Sequence, residues 1–304
     1  MTQEKNLKSA LHPRNKNRAA YDLKALVKAV PSLQEFINTN KHGAPSVDFA
    51  NPKAVKLLNT ALLRHYYGVQ HWDFSDENLC PPIPGRVDYI HHIADLLAEN
   101  TNGEIPKGDQ ITMLDIGTGA SCIYPILAAV EYGWKSIATD IDPPSIRSAQ
   151  SIIKSNSSLP SKIECRLQKE AAQIFKGILN ARDKIDITVC NPPFHASAEE
   201  ALKGSQRKVR NLKGKKTSSV ELNFSGNVNE LVCQGGEHQF IQRMIHESRD
   251  FEEQCAWFST LVSKQSNLKG IYKSLEYHQA RRVKTIALGT GNKTSRIVAW
   301  TFRN

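Results

Sequence analysis

Short apolar runs alternate with longer amphipathic stretches from about residue 105 to the end of the chain, and this alternation constrains the fold most strongly. Runs of this length that are rich in β-branched residues are typical of strands. Strand, helix and strand repeated in this way predict an α/β protein with a mostly parallel sheet and helices on both faces. A hairpin is expected for the last two strands. The seven predicted strands are ITMLDIG, SIATDID, KIECRLQ, KIDITVCNPP, CAWFSTLV, KTIALG and SRIVAWTF.

The chain before this region follows a different pattern. Apolar positions at helical spacing predict helices in YDLKALVKAVPSLQEFI and NPKAVKLLNTALLRHYYG. A proline-rich loop, LCPPIPG, then leads into a helix predicted from Arg86 to Glu99. Because the polar stretch TNGEIPKGDQ is a natural surface connector, we expect a helical section over 1–104 and an α/β domain over 105–304.

Charge and cysteine usage narrow the class of protein. The formal net charge of +10 favours an acidic partner such as nucleic acid, although many basic proteins bind none. The six cysteines stand singly, without a pair or a histidine at zinc spacing, which indicates buried thiols in a reducing compartment and no metal site. The N-terminus is charged, and no run approaches the roughly 20 apolar residues of a membrane span. We therefore expect a cytoplasmic protein without a membrane segment.

The first predicted strand ends in a glycine-rich turn, MLDIGTGAS. Glycine lets the backbone turn sharply and approach a bound nucleotide where a Cβ would intrude. Cys122 occupies the third small position of a dinucleotide motif, and no Gly-Lys-Ser/Thr follows, so the pattern predicts a cofactor without a pyrophosphate. The candidate cofactor-binding residues in this turn are Asp115, Gly117, Thr118 and Gly119.

Asp140 ends the second predicted strand about 20 residues after Gly119, where a carboxylate can accept hydrogen bonds from ribose hydroxyls. Asp142 is the less favoured alternative. Taken alone, the turn and the acidic strand end are explained more simply as a tight turn and a helix cap. Their order and spacing together favour a nucleoside cofactor.

The fourth predicted strand ends in Asn191-Pro192-Pro193-Phe194. A proline-proline turn after a buried strand is the plain alternative. With D-x-G-x-G after the first strand and an acid after the second, however, the chain resembles the class I S-adenosylmethionine-dependent methyltransferases. In that superfamily N-P-P-F marks enzymes that methylate a planar conjugated nitrogen, such as the adenine amino group or a glutamine amide. The resemblance implies a Rossmann-like, seven-stranded sheet and S-adenosyl-L-methionine as cofactor.

The chemistry explains why these residue types are needed. An exocyclic adenine nitrogen is a poor nucleophile because its lone pair is delocalised into the ring. The side-chain oxygen of Asn191 and the carbonyl of Pro192 can accept hydrogen bonds from its two N–H groups and so favour a pyramidal nitrogen. Pro192 and Pro193 fix the backbone of this segment. Phe194 can stack on the base. The methylated nitrogen is acidic enough to lose its proton to water, so no metal is expected.

Two cationic segments favour RNA as the substrate. The first lies in an insertion over 200–236, although a solvated disordered loop would explain it equally well. Its members are Lys203, Arg207, Lys208, Arg210, Lys213, Lys215 and Lys216. The second is a possible phosphate contact near the N-terminus, formed by Lys5, Lys8, Arg14, Lys16 and Arg18.

Longer motifs give a closer resemblance to one family. LHPRNKNRAAYDLKAL, CPPIPGRVDYIHHIADLL, LDIGTGASCIYPIL, ATDID, CNPPFHAS, GGE and GNKTSRIVAWTF together resemble the bacterial 23S ribosomal RNA adenine-N6 methyltransferase family RlmF. HPRN and CPPIPGR are the most specific parts, since generic methyltransferases lack them. The resemblance implies one adenine of 23S rRNA as the target, and we expect a monomer.

Several assignments stay open at this point. Arg86 is a candidate for binding the cofactor carboxylate or a phosphate, but a surface arginine after a proline turn is equally ordinary. Glu237 either lies near the active site or caps its helix. The ten histidines form no recognisable ligand set. A protein glutamine methyltransferase and a non-catalytic RNA-binding assembly factor remain as alternative functions.

Overall fold

The computed structural model describes residues 11–40, 43–195, 197, 199, 232–290 and 293–304, with the side chains of 290, 293 and 294 left out. The cationic run over 203–219 and most of the 200–236 insertion fall outside this range, as do Lys5 and Lys8. The predictions made for them stay predictions.

The front section contains both helices and a small β-ribbon. Helix α1 is Leu23–Ala29, a 3₁₀ turn covers Pro31–Phe36, and helix α2 is Pro52–Tyr67. Strands β1, Ile37–Thr39, and β2, Pro45–Val47, pair antiparallel. The helical structure predicted in YDLKALVKAVPSLQEFI is present but divided into two pieces, because Pro31 holds the preceding Val30 in an extended conformation (φ −136°).

Helix α3 spans Ile83–Ala98 and so begins three residues earlier than predicted. Pro82 is its N-cap, and Pro84 lies in its first turn, where the missing N–H breaks no helical hydrogen bond. Arg86 therefore lies inside the first turn of this helix, not at its predicted first position after the proline-rich loop. The position of α3 therefore determines the direction in which the Arg86 side chain extends.

The sheet has seven strands in the order β5-β4-β3-β6-β7-β9-β8, in agreement with the predicted class I methyltransferase fold. Every pairing is parallel except those of β9 with β7 and β8, which confirms the terminal hairpin. The strands are Thr112–Ile116 (β3), Lys135–Asp140 (β4), Ile163–Leu167 (β5), Ile185–Cys190 (β6), Cys255–Val262 (β7), Arg282–Thr290 (β8) and Lys293–Thr301 (β9).

Helices cover both faces of this sheet. On one face α2, α3, α4 and α5 contribute to one hydrophobic cluster, and on the other α6 and α7 contribute to a second. The four later helices are Ile123–Tyr132 (α4), Pro143–Lys154 (α5), Gly236–Ser248 (α6) and Leu268–Tyr277 (α7). Among the described helices, none is long and apolar enough to cross a membrane.

The HPRN element near the N-terminus is bound to α3. Asp88, fully buried in that helix, accepts hydrogen bonds from the His12 backbone (2.7 Å) and the Asn15 side chain (2.9 Å). Arg14 forms an ion pair with Asp95 at 2.7 Å, and Lys16 pairs with Glu131. Both cationic side chains stay partly exposed beside these ion pairs, so the phosphate contact suggested at Arg14 and Lys16 remains a prediction.

Candidate active site

A cavity of about 870 Å³ opens at the carboxyl ends of the parallel strands, between the sheet and the front section. This is the edge where open α/β sheets bind their ligands. The sequence-predicted residues that line it are Arg86, Gly117, Thr118, Gly119, Asp140, Asn191, Pro193 and Phe194. The structure thus brings together motifs that lie more than a hundred residues apart in the chain.

The glycine turn after β3 forms one wall of the cavity. Gly117 has φ +77° and Gly119 φ +62°, so both occupy the left-handed region that favours glycine. A Cβ at Gly117 would project into open space, while the backbone N–H groups of Gly117 and Thr118 donate to the Thr139 carbonyl at 2.9 and 2.8 Å. The neighbouring strand therefore holds a turn whose glycine leaves room for a ligand.

Asp140 lies beside this turn at the end of β4. Its Oδ2 accepts from the Gly119 N–H at 2.8 Å and its Oδ1 from the Asp142 N–H at 2.9 Å. Burial raises the pKa of Asp140, and these backbone donors partly oppose that shift. Because a carboxylate oxygen can accept two hydrogen bonds, each oxygen of Asp140 can still accept one from a ligand hydroxyl.

Asp142 is used differently. Its carboxylate accepts from the backbone N–H and the hydroxyl of Ser145, at 2.9 and 2.7 Å, and so caps the N-terminus of α5. Both aspartates line the cavity, but the carboxylate of Asp142 is engaged in capping α5, so the helix-cap explanation applies to Asp142.

Asp115 is fully buried and does not line the cavity. Neither of its carboxylate oxygens has a hydrogen-bond partner. Burial raises the pKa of Asp115 to about 7, and the Arg86 charge opposes this shift only in part. Its predicted contact with a cofactor is not available at the cavity wall, where the glycine turn stands in front of it.

The Asn-Pro-Pro-Phe segment follows β6, a central strand of the sheet. The side chains of Asn191, Pro193 and Phe194 line the cavity and Pro192 is buried. The Oδ1 atom of Asn191 is buried and has no hydrogen-bond partner among the residues that the structure describes. A buried polar atom left unpaired costs about 1–3 kcal/mol, so this oxygen is suited to accept a hydrogen bond from a ligand.

Arg86 reaches the cavity from the first turn of α3. Its Nη1 donates to the Tyr124 hydroxyl at 2.7 Å, and the guanidinium lies 5.4 Å from the centre of that ring. Since Tyr124 is the second residue of α4, directly after the glycine turn, Arg86 is held at that end of the cavity. Whether it binds a carboxylate or a phosphate there stays a prediction.

Glu237 does not line the cavity, although Gln234 and Phe240 on either side of it do, and its side chain makes no cap hydrogen bond to its own helix. It is buried in the first turn of α6 and accepts hydrogen bonds from the Ser263 N–H (2.7 Å), the Lys264 N–H (3.2 Å) and the Asn267 side chain (2.6 Å). Its carboxylate connects α6 to the segment that follows β7.

Several lining residues carried no recognisable signal in the sequence. Phe240 and Arg243 reach the cavity from α6, and Phe49, which is 46% exposed, reaches it from the loop before α2. The spacing of Phe240 and Arg243 places them on one face of α6, but the sequence does not reveal which face turns toward the cavity.

The structure also gathers one group of potential metal ligands that the sequence did not suggest. Ligand atoms of His12, His92 and Asp95 lie within 4.8 Å of one another, away from the cavity. Asp95 already binds His12 at 2.8 Å and Arg14 at 2.7 Å, so the Asp95 carboxylate is neutralised by the Arg14 guanidinium.

Comparison with known proteins gives consistent matches over nearly the whole chain. A family model described as RNA methyltransferase matches residues 5–304. A protein named ribosomal RNA large subunit methyltransferase F from Photobacterium profundum is 52% identical, covering 99% of this chain and 95% of its own length. A protein of the same name from Flavobacterium johnsoniae is 53% identical, with 98% of this chain and 95% of that protein covered.

Solved structures show the same architecture. The human METTL16 catalytic domain in complex with a MAT2A 3'UTR hairpin is 29% identical, with a TM-score of 0.81 over 97% of this chain and 96% of that chain. The N-terminal domain of human METTL16 in complex with SAH is 26% identical, with a TM-score of 0.76 over 97% of this chain and 99% of that chain.

Proposed function

The chain belongs to the ribosomal RNA large subunit methyltransferase F (RlmF) family of RNA methyltransferases, and from that premise we propose that it methylates the exocyclic N6 of one adenine in 23S rRNA. The cofactor is S-adenosyl-L-methionine. The observation that carries the proposal is the buried, unpartnered Oδ1 of Asn191 at the wall of a cavity that also holds Asp140 and the glycine turn.

The residues around the cavity match the chemistry of this cofactor. The two oxygens of Asp140 suit ribose hydroxyls, the open space at Gly117 suits close approach of the ligand, and the Arg86 guanidinium suits the carboxylate of the methionine moiety. When bound, S-adenosyl-L-methionine supplies an electrophilic methyl group on a sulfonium sulfur. The chain's own residues do the rest of the work.

Asn191 and Pro192 orient and activate the target nitrogen in this proposal. Their oxygens accept hydrogen bonds from the two N–H groups of the amino nitrogen. This draws its lone pair out of conjugation with the ring as the nitrogen–methyl bond forms and the methyl–sulfur bond breaks, with the electron pair of that bond staying on the sulfur. The prolines keep the segment rigid and Phe194 stacks on the base, so little ordering entropy is lost at the moment of reaction. The methylated nitrogen then releases one proton to water, and the residues need no metal for this step.

Replacing Asn191 by alanine tests the proposal. We expect Asn191→Ala to lower kcat about 100- to 1,000-fold, which is typical of losing one preorganised hydrogen-bonding group, while cofactor affinity changes little. Nucleoside mass spectrometry of unmodified 23S rRNA after incubation measures N6-methyladenosine, and calorimetry measures cofactor binding. Asn156→Ala is a matched control, since that asparagine supports the backbone of 70–71 outside the cavity.

Full N6-methyladenosine formation by Asn191→Ala would refute the acceptor role. Methylation of a protein glutamine without N6-methyladenosine would refute the RNA substrate. Absence of both reactions in the wild-type protein would favour a non-catalytic assembly factor.

We further propose that the protein acts as a monomer in the bacterial cytoplasm. In support, the cavity is lined by residues of a single chain, and the relatives are named as modifying ribosomal RNA. Size-exclusion chromatography with light scattering at micromolar concentration tests the monomer.

A further inference from the structure

Two guanidinium groups, those of Arg86 and Arg243, line the cavity, and among the described residues only Arg86 has a hydrogen-bond partner. Arg86 donates to Tyr124. Arg243, by contrast, makes no hydrogen bond or ion pair with any described residue. Its buried Nε has no partner there, and its guanidinium carbon lies 5.9 Å from the centre of the Phe240 ring. Half-burial of an uncompensated positive charge is costly, so an anionic ligand would stabilise Arg243.

Arg243 lies at the end of the cavity that carries the Asn-Pro-Pro-Phe segment. Its charge acts on Cys233, where it opposes the increase in thiol pKa that burial causes. The Cys233 N–H donates to the His195 carbonyl at 3.1 Å, and Val232 pairs with His195 in an isolated β-bridge. Because His195 directly follows Phe194, these contacts place Arg243 beside the segment expected to receive the base.

The two guanidinium groups therefore occupy different ends of one cavity. Arg86 is held beside the glycine turn by Tyr124, while Arg243 lies beside the tetrapeptide. The reaction brings two kinds of anion into this space, the cofactor carboxylate and the phosphates of the target nucleotide. The glycine-turn end is the cofactor end, which leaves Arg243 with the nucleotide.

We propose that Arg243 binds a phosphate flanking the target adenine, an inference that rests on the proposed function. The planar guanidinium presents two parallel N–H groups, a geometry that matches phosphate oxygens. Contact with the Phe240 face limits the rotation of that plane. A phosphate contact carries no base identity, so Arg243 fixes the position of the extruded nucleotide while Asn191 binds its amino group.

Arg243→Gln and Arg243→Lys test the proposal, with Arg249→Gln as a matched control. Arg249 follows the same helix, but it pairs with Glu252 at 2.8 Å and lies outside the cavity. Filter binding of unmodified 23S rRNA transcript at several salt concentrations gives the RNA Kd and its salt dependence. Calorimetry gives the Kd for S-adenosyl-L-methionine.

We expect Arg243→Gln to raise the RNA Kd about 10- to 100-fold and to reduce the salt slope by about 1, the change produced by losing one phosphate contact. Arg243→Lys keeps the charge without the fork, and we expect an increase of about 3- to 10-fold. Because that variant retains the charge and the aliphatic stem, it also serves if the glutamine variant is unstable. Arg249→Gln should change the RNA Kd less than about twofold.

Unchanged RNA affinity and salt slope in both Arg243 variants would overturn the proposal. So would a loss of cofactor affinity with RNA affinity intact, which would assign Arg243 to the cofactor carboxylate. Both readouts are binding measurements, so they stay separate from the test of the reaction. A wild-type protein that binds rRNA through Arg243 but forms no N6-methyladenosine would leave this inference standing while refuting the proposed function.

Discussion

Single residues at the end of β3 and β6 show how burial prepares a site. Among the described residues, the Asn191 side-chain oxygen has no hydrogen-bond partner and lies at the cavity wall. Both carboxylate oxygens of Asp115 also lack a described partner, but Asp115 does not line the cavity. The unpaired amide oxygen can be satisfied by a ligand, whereas the Asp115 carboxylate cannot reach one directly. Its main consequence is therefore for stability.

Asp115 makes folding less favourable as the pH rises. Its pKa is raised by burial from 3.8 to about 7, so the folded state holds a proton that the unfolded state has already released. The loss of stability begins above the unfolded pKa and is complete above the folded one. We expect Asp115→Asn to be more stable than the wild type by about 4 kcal/mol at pH 8. The difference should be nearly absent at pH 4.

Urea denaturation at the two pH values measures this effect. Asp109→Asn is the control, because Asp109 is exposed and pairs with Lys135 only at 3.7 Å. A stability difference that does not change with pH would mean that a partner compensates the Asp115 carboxylate in the folded protein.

The site residues differ in how far sequence could identify them. Asn191 and Asp140 were predictable because each belongs to a short motif whose backbone geometry is local. Arg243 was not, because its place in the cavity depends on how α6 packs against the sheet. The role of Glu237 stayed open for the same reason, since its hydrogen-bond partners follow β7.

Secondary-structure elements were predicted best where the apolar run is continuous. Each of the seven predicted runs contains most of one sheet strand, although β4, β8 and β9 begin one or two residues before the predicted run and β8 ends one residue after it. The β-ribbon of β1 and β2 was missed, since three-residue strands are too short to show a period. One predicted helical stretch is divided into two pieces by Pro31.

Variants of Asp142 and Asp140 distinguish a residue that caps a helix from a residue that binds the cofactor. We expect Asp142→Ala to lower the free energy of unfolding by about 1 kcal/mol through loss of the α5 cap, with cofactor affinity nearly unchanged. Asp142→Asn keeps an accepting oxygen at the cap and should lose only a few tenths of a kcal/mol. Asp140→Asn should instead weaken cofactor binding about 10-fold or more.

Urea denaturation and calorimetry on the three variants distinguish these outcomes. The assignment of the two carboxylates would be reversed if Asp142→Asn weakened cofactor binding while Asp140→Asn left it intact.

At the scale of the whole molecule, the front section and the sheet share one hydrophobic cluster. Helix α3 is the main contributor from the front section, and the hydroxyl of its Tyr89 bonds the Ser259 hydroxyl of β7 at 2.9 Å. A boundary near residue 105 would leave this helix outside the methyltransferase domain although it covers one face of the sheet. We propose instead that α3 belongs to that domain and that the boundary lies near residue 80.

Two shortened chains, 105–304 and 81–304, test this boundary. The first lacks α3, whose fully buried apolar side chains contribute about 1.5–3 kcal/mol each, and their sum is comparable with the 5–15 kcal/mol of stability typical of a whole domain. They are Ile83, Val87, Tyr89, Ile90 and Ile93. We therefore expect 105–304 to show no cooperative thermal unfolding by circular dichroism.

The 81–304 chain should unfold cooperatively at a lower temperature than the full chain, since it loses α2, which packs on α3 and α4. It should also bind cofactor more weakly, because Phe49, Val55 and Cys80 no longer line the cavity. Cooperative unfolding of 105–304 near the full-length temperature would restore the boundary at 105, and its absence in 81–304 would mean that the front section folds only together with the sheet.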